Sequence, residues 1–327
     1  MVLVCVATIP LARGQSLVWG TTDSGITKTG GPVIFSNGAF LGDARFVSGW
    51  GTAAEGGAIA TSPDGVTWTT RLTIASGSGV FALGSGGSSP VRYLAGGSYS
   101  SIYRSSDGTT WNSGGHSGST GITSIAYGGG QFVATGNSGM VETSSDLITW
   151  TPQASGITTN INGVAFNGSL FLAAGSEVRL STNGSNWTAG TATASTINEV
   201  TFGAGKFFAV TATGEIYNTI DGSTWNLSRS SGGQLNDIVF GGGRFVAVGN
   251  SGLIVESLDG GATWLTDTSG TSANLAAIAF GNGTFVVTEA NASGQMMISA
   301  IPEPSTYAAI FGLAALGIAA HRRRQRQ

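Results

Sequence analysis

The sequence predicts an all-β protein: a seven-bladed β-propeller of four-stranded antiparallel blades. Three observations carry that expectation. A phrase of seven or eight residues ending in Trp recurs at a near-constant spacing, its tryptophans Trp68, Trp111, Trp150, Trp187, Trp225 and Trp264 lying 43, 39, 37, 38 and 39 residues apart, and a period near 40 with β-type composition marks propeller blades rather than helical repeats. Only 9% of the 327 residues are charged, against 54 glycines, so the surface must be built from Ser, Thr, Asn and Gly on short strands joined by tight turns. Seven segments read as first strands, near Val33, Phe81, Tyr127, Phe166, Phe202, Phe240 and Phe280.

Within each repeat the strands can be named A to D. The strand-A aromatics Tyr127, Phe166, Phe202, Phe240 and Phe280 are each followed five residues later by a phenylalanine. A Gly-bearing turn lies between, as expected of a hairpin needing positive φ. Blades 1 and 2 have longer A–B connections, read as Phe35 to Phe46 and Leu83 to Tyr93. Strand C carries Ile59, Ile102, Val141, Val178, Ile216 and Ile254, three residues before the Ser or Thr of the phrase, and strand D begins at the Trp. The last repeat has no D strand, whereas "SLVWGTT" at 16–22 is a D strand without a blade. Pairing the two would leave the ring without free strand edges.

The repeated phrase reads SPDGVTW, SSDGTTW, SSDLITW, STNGSNW, TIDGSTW and SLDGGATW. It resembles the Asp box of sialidase-like BNR-repeat propellers. Its Asp64, Asp107, Asp146, Asn183, Asp221 and Asp259 occupy the acidic position, and only the sixth copy, Ser257 to Trp264, fits the pattern in full. The blades are also similar to those of photosystem II stability and assembly factors. A side-chain oxygen at a turn start accepts backbone N–H bonds, and a Trp packs between layers. These residues are therefore expected to be structural.

The two ends read as addresses. An apolar run at 2–12 precedes small residues at Ala12 and Gly14, as a signal peptide over 1–15 would, although no Lys or Arg precedes the run. The propeller is then expected over 16–300 and a sorting segment over 301–327. That segment has Pro302-Glu303-Pro304, an apolar stretch at 307–320, and an end containing Arg322, Arg323 and Arg324. Fourteen residues of helix rise about 21 Å, short of the roughly 30 Å hydrocarbon core, and the arginines would stay on the cytoplasmic side. The tail resembles the PEP-CTERM sorting signal. The resemblance implies export, transient membrane attachment through the tail, and processing by an exosortase-type enzyme in a polysaccharide-producing bacterium, with extracellular polysaccharide or an envelope protein as partner at the cell surface or in the matrix.

Excluding both addresses, residues 16–300 hold 9 Lys/Arg and 16 Asp/Glu. An acidic body without a basic stripe is not expected to bind nucleic acid. The single Cys5 lies in the leader and His116 is alone in the body, so neither a disulfide nor a metal centre is expected, and no cofactor. Arg45, Arg92, Lys206 and Arg244 precede strand-B aromatics, which sets them at the A–B end, away from a mouth formed by B–C and D–A loops. Lys28, Arg71 and Arg229 fall in expected D–A loops. The candidate binding positions are Asn162, Asn198 and Asn236 at one register of strand A, with Glu199 and Asp237 at the next. Strand-end capping is the competing role. The expectation is a non-catalytic binding or scaffolding module. The alternatives are a glycan-cleaving enzyme of sialidase-like architecture, needing a carboxylate pair in the mouth, and an assembly factor docking an envelope membrane complex.

Overall fold

A computed structural model describes residues 17–36, 44–87, 92–97, 102–114, 120–230 and 232–301. The expected signal peptide, His116, Pro302, Glu303, Pro304, the 307–320 helix, Arg322, Arg323 and Arg324 lie outside the described residues. These residues form seven four-stranded antiparallel sheets. The A strands are Gly30–Ser36, Val80–Gly86, Ile122–Gly128, Ile161–Phe166, Ile197–Gly203, Leu235–Gly241 and Leu275–Gly281. The B strands are Arg45–Thr52, Arg92–Gly97, Gln131–Gly136, Phe171–Gly175, Lys206–Thr211, Arg244–Gly249 and Thr284–Glu289. The C strands are Gly56–Ser62, Ile102–Ser105, Val141–Ser144, Val178–Ser181, Ile216–Thr219, Ile254–Ser257 and Gln295–Ala300. Six D strands follow in their own blades, at Thr69–Thr73, Asn112–Gly114, Thr151–Gln153, Thr188–Ala189, Asn226–Arg229 and Leu265–Asp267. Blade 7 takes its D strand from the start of the chain. Strand β1, Gly20–Asp23, pairs antiparallel with Gln295–Ala300, setting Gly20 opposite Ile298 and Asp23 opposite Gln295. The ring is closed as the orphan strand implied.

Strands alternate their side chains between two faces, so each inter-blade space is a separate core. The Trp of each phrase marks one of them. Trp68 packs with the blade 7/1 cluster, Trp111 with blades 1/2, Trp150 with 2/3, Trp187 with 3/4, Trp225 with 4/5 and Trp264 with 5/6. Trp19 takes the same place between blades 6 and 7, alongside buried Leu17. Cross-strand aromatic pairs stiffen six A–B hairpins, among them Phe166–Phe171 at 4.3 Å and Phe240–Phe245 at 4.6 Å between ring centroids. Blade 2 lacks such a pair. Its Tyr93 lies opposite Ser85 rather than Leu83, so the A–B connection is shorter than the sequence suggested. Phe81 is the second residue of its A strand and is 41% exposed.

The last residue of strand A is usually glycine for a reason of close approach. At Gly86, Gly128, Gly203, Gly241 and Gly281 a Cβ would collide with the ring of Tyr127, Phe166, Phe240, Phe280 and Phe35 respectively, each on the following blade. The base of every such ring sits against a bare backbone. Overpacking of this kind costs about 1–3 kcal/mol, and we expect Gly281→Ala to lower stability by that amount in a denaturant titration with the slope unchanged.

The recurring turn has one geometry in its five seven-residue copies, and the sixth, one residue longer, keeps the same acceptors with each bond reaching one residue further. In the first, Ser62 Oγ accepts from Gly65 N at 2.8 Å, and Asp64 Oδ1 accepts from Val66 N and Thr67 N, both at 2.8 Å. Asn183 does the same through its amide oxygen, with Ser185 N at 3.0 Å and Asn186 N at 2.9 Å. Glycine supplies the positive φ except in the third copy, where Leu147 adopts φ 62° and is buried to 2% exposure. Asp259 accepts from Ala262 N, Thr263 N and Thr263 Oγ1, and its carboxyl sits at about 2, the hydrogen bonds outweighing a burial effect that acts the other way. Hydrogen bonds to charged groups contribute roughly 1.5–3 kcal/mol. Since this Asp is largely exposed, Asp259→Ala should cost about 1–2 kcal/mol at pH 7, and the difference from the parent should shrink as pH falls from 3.8 toward 2, measured by thermal melts.

Candidate functional site in the axial channel

Each A strand begins with a register shift: one residue, such as Thr123, Asn162, Asn198 or Asn236, is squeezed out of the pairing. A bulge of this kind re-aims a side chain, and here it aims sideways to the next blade. Asn162 Nδ2 donates to Ile197 O at 2.8 Å, Asn198 Nδ2 to Leu235 O at 2.7 Å, and Asn236 Nδ2 to Leu275 O at 2.7 Å. Thr123 Oγ1 makes the equivalent bond to Ile161 O. The amides thus form rungs between blades, the role that competed with ligand binding at those positions.

The next residue inward is Ser124, Glu199 or Asp237. Ser124 Oγ accepts from Val164 N of the following blade at 3.2 Å. Asp237 Oδ1 accepts from Ile238 N at 2.6 Å and its Oδ2 from Ile278 N of the following blade at 2.8 Å. Glu199 Oε1 accepts from Val200 N at 2.9 Å. Both acids touch the channel while being ringed by protein. Burial pushes the Glu199 carboxyl well above its usual range, and the neighbouring Asp237 carboxylate adds to the effect. Asp237 is pushed up to about 7 by burial, its two backbone N–H bonds opposing the rise. The pair is the most strongly perturbed among the described residues, which is a mark of candidate sites.

Around them lies a cavity of about 370 Å³, lined by residues of all seven blades and reaching from the strand-A starts to mid-strand. Its wall is two-sided. Blades 1, 2 and 7 contribute Pro32, Val33, Phe81, Ala82, Ala276 and Ala277, whereas Thr123, Ser124, Glu199, Asn236 and Asp237 make the polar side. Phe81 of blade 2 and the acids of blades 5 and 6 therefore stand across the ring from each other. Sequence reasoning found the acids through their shared register but missed Phe81, whose exposure nothing in the pattern announced.

Among the described residues no Lys, Arg, His or Tyr lines this cavity. Arg45 and Arg244 are buried at the strand-B starts, Arg244 Nη1 lying 2.8 Å from Glu256 Oε2, and Lys206 opens strand B of blade 5. Arg71 and Arg229 belong to D strands rather than to D–A loops: Arg71 Nε donates to Thr61 Oγ1 and Arg229 Nη1 to Gly214 O. Lys28 Nζ donates to Glu55 O at 2.6 Å. Among the described residues no three His, Cys, Asp or Glu side chains gather as metal ligands, and no helix is long and apolar enough to cross a membrane.

Comparison with known proteins adds two findings. Residues 300–324 match the PEP-CTERM protein-sorting motif, while no curated protein sequence matches the chain. Among solved structures, the fold is similar to "YCF48 bound to D1 peptide", at TM-score 0.67 and 16% identity over 87% of this chain and 97% of that one. YCF48 from Cyanidioschyzon merolae gives 0.65 and 19% over 88% and 99%. The WD40 propeller domain of Doa1 gives 0.66 and 14% over 89% and 98%. Identities this low speak for the fold alone. The chain is an exported seven-bladed β-propeller resembling YCF48, with a C-terminal PEP-CTERM sorting tail for membrane attachment.

Proposed function

We propose that the protein is a non-catalytic binding or scaffolding module, displayed at the cell surface or in the extracellular matrix, whose axial cavity takes part of a polymer. The observation that carries this is the two-sided cavity: an exposed aromatic ring across from a carboxylate pair in about 370 Å³. A few polar groups converging in an apolar concavity is the usual form of a ligand site. A sugar fits that wall, its apolar face on Phe81 and its hydroxyls on Glu199 and Asp237, so extracellular polysaccharide is the ligand class of choice. Three features speak for binding over cleavage. The oxygens of Asp237 each accept a backbone N–H, Glu199 accepts another, and among the described residues no cationic side chain lines the cavity to hold an anionic substrate.

The experiment is size-exclusion chromatography of the full-length protein mixed with extracellular polysaccharide of the producing cells. Co-elution with intact polymer, weakened several-fold in Phe81→Ala, is the expected result. Polymer that elutes later than its untreated control would identify a glycan-cleaving enzyme instead, for which the Glu199–Asp237 pair is the feature in favour. Separate elution would shift the reading toward an envelope protein as partner. That assembly-factor reading draws on the fold's likeness to a propeller whose title names a bound peptide.

A further inference from the structure

We propose that, before processing, the propeller stands on the membrane on the face made by its A–B and C–D turns, so that the axial cavity opens away from the bilayer. Both ends of the described chain emerge at that face. The last described residue, Ile301, donates its N–H to Gly283 O at 2.7 Å, and its side chain packs against Gly242; these glycines are in the A–B turns of blades 7 and 6. At the other end, Leu17 is buried between the same two blades, and β1 enters the sheet with Gly20 opposite Ile298, near the C–D end.

The tether from this point is short. Residues 302–306, two of them proline, separate Ile301 from the apolar stretch that begins at Tyr307. Six Cα steps at 3.3–3.6 Å reach about 20–22 Å when fully extended. A seven-residue A strand alone is about 20 Å tall, and a path to the opposite face must also clear the loops and the edge strand β1. The tail can therefore enter a bilayer beneath the A–B/C–D face but cannot pass around the ring.

That face is also the apolar one. Seven large apolar side chains are exposed among the described residues. Four of them, Val18 at 85%, Val66 at 44%, Ile148 at 55% and Ile220 at 68%, project at the C–D end, at the chain entry and on the turns of blades 1, 3 and 5. Of the other three, Phe81 lines the cavity and Leu227 and Leu265 lie on D strands. On the opposite face the loops Gly232–Gln234, Asn250–Gly252 and Thr268–Ser272 are built from Gly, Ser, Thr, Asn and Gln. Apolar side chains on a surface held at a bilayer bury in its interfacial layer. The acids of the C–D turns each turn one carboxylate oxygen onto their own backbone N–H groups, and the negative charge they keep favours zwitterionic headgroups over anionic ones.

The test uses the full chain carrying Cys5→Ser and one added cysteine, at Ile148→Cys, Ile220→Cys, Leu227→Cys, Ser251→Cys or Ser272→Cys, labelled with an environment-sensitive fluorophore. The protein is reconstituted through its tail into phosphatidylcholine vesicles doped with spin-labelled lipid, with and without phosphatidylglycerol. All five positions are exposed, and a thermal melt of each labelled protein confirms an intact ring. Quenching several-fold stronger at 148 and 220 than at 251 and 272, and no stronger with phosphatidylglycerol, is the expected result. Quenching that is strongest at 227, equal at both faces, or absent at all positions would overturn the proposal.

Discussion

A chain lacking residues 1–23 is expected not to form a stable monomer. What it loses is concentrated: buried Leu17, Trp19 against Phe285 at 6.4 Å, and the four-residue ladder of β1 on Gln295–Ala300. Truncating a buried Leu to Ala costs roughly 2–5 kcal/mol and a Trp roughly 3–5. The sum approaches the 5–15 kcal/mol of net stability that a folded domain typically has. The removal also strips one edge of Gln295–Ala300, leaving a template for aggregation. Thermal unfolding followed by circular dichroism and size-exclusion chromatography checks both consequences. Adding a synthetic peptide of residues 16–26 should restore a folded species by strand addition. An unchanged melting temperature in the truncated chain would mean that the closure contributes little.

The second large effect concerns the channel acids. Glu199 and Asp237 hold their protons to higher pH in the folded protein than in the unfolded chain. Folding therefore takes up protons over that interval, and stability falls as pH rises from about 4 to the folded values, about 7 for Asp237, and then levels off. Asp267, raised to about 6 mainly by burial and also by Glu256, contributes with the same sign. The turn acids act oppositely: Asp146 and Asp259, both at about 2, lose their contribution below their unfolded values. Maximum stability is thus expected at mildly acidic pH. Glu199→Gln keeps an oxygen to accept Val200 N while removing one charge from the pair. At an effective dielectric of about 20, removing the repulsion between two neighbouring charges is worth on the order of a few kcal/mol. The variant should melt several degrees higher than the parent at pH 8 and within a degree or so at pH 4.5. A parallel shift of the whole stability–pH curve would show that the pair is not the source.

The features legible in the sequence were those that repeat. Trp68 to Trp264 gave the period, the unpartnered Trp19 gave the closure, and the seven strand-A segments gave the blade count. Asn162, Asn198 and Asn236 declared themselves by a common register, as did Glu199 and Asp237. What that register could not reveal is direction. A one-residue bulge turns the amides into the neighbouring blade, and bulges leave no distinctive residue behind. Blade 2 departs from the repeat, with Ser85 where the others carry an aromatic, so Phe81 was readable as a strand residue but not as an exposed ring in the channel. The glycines under the aromatics were visible as turn formers only, because their need comes from a side chain some forty residues away.

That ring-on-glycine contact has a hand. At five of the seven junctions one blade offers a bare glycine to an aromatic of the blade after it, so the contact is head-to-tail rather than self-complementary. Interfaces of this kind close into rings only when the rotation per unit divides the circle, and otherwise continue as open helices. Seven units close here, and Phe35 meets Gly281 at the junction between the last blade and the first. A chain that cannot make that final junction still displays both halves of it, one at each end, and each half is complementary to the other end of a second copy. The polymer expected from a failed closure is accordingly a polar filament growing end to end, with each subunit supplying the contact its neighbour lacks.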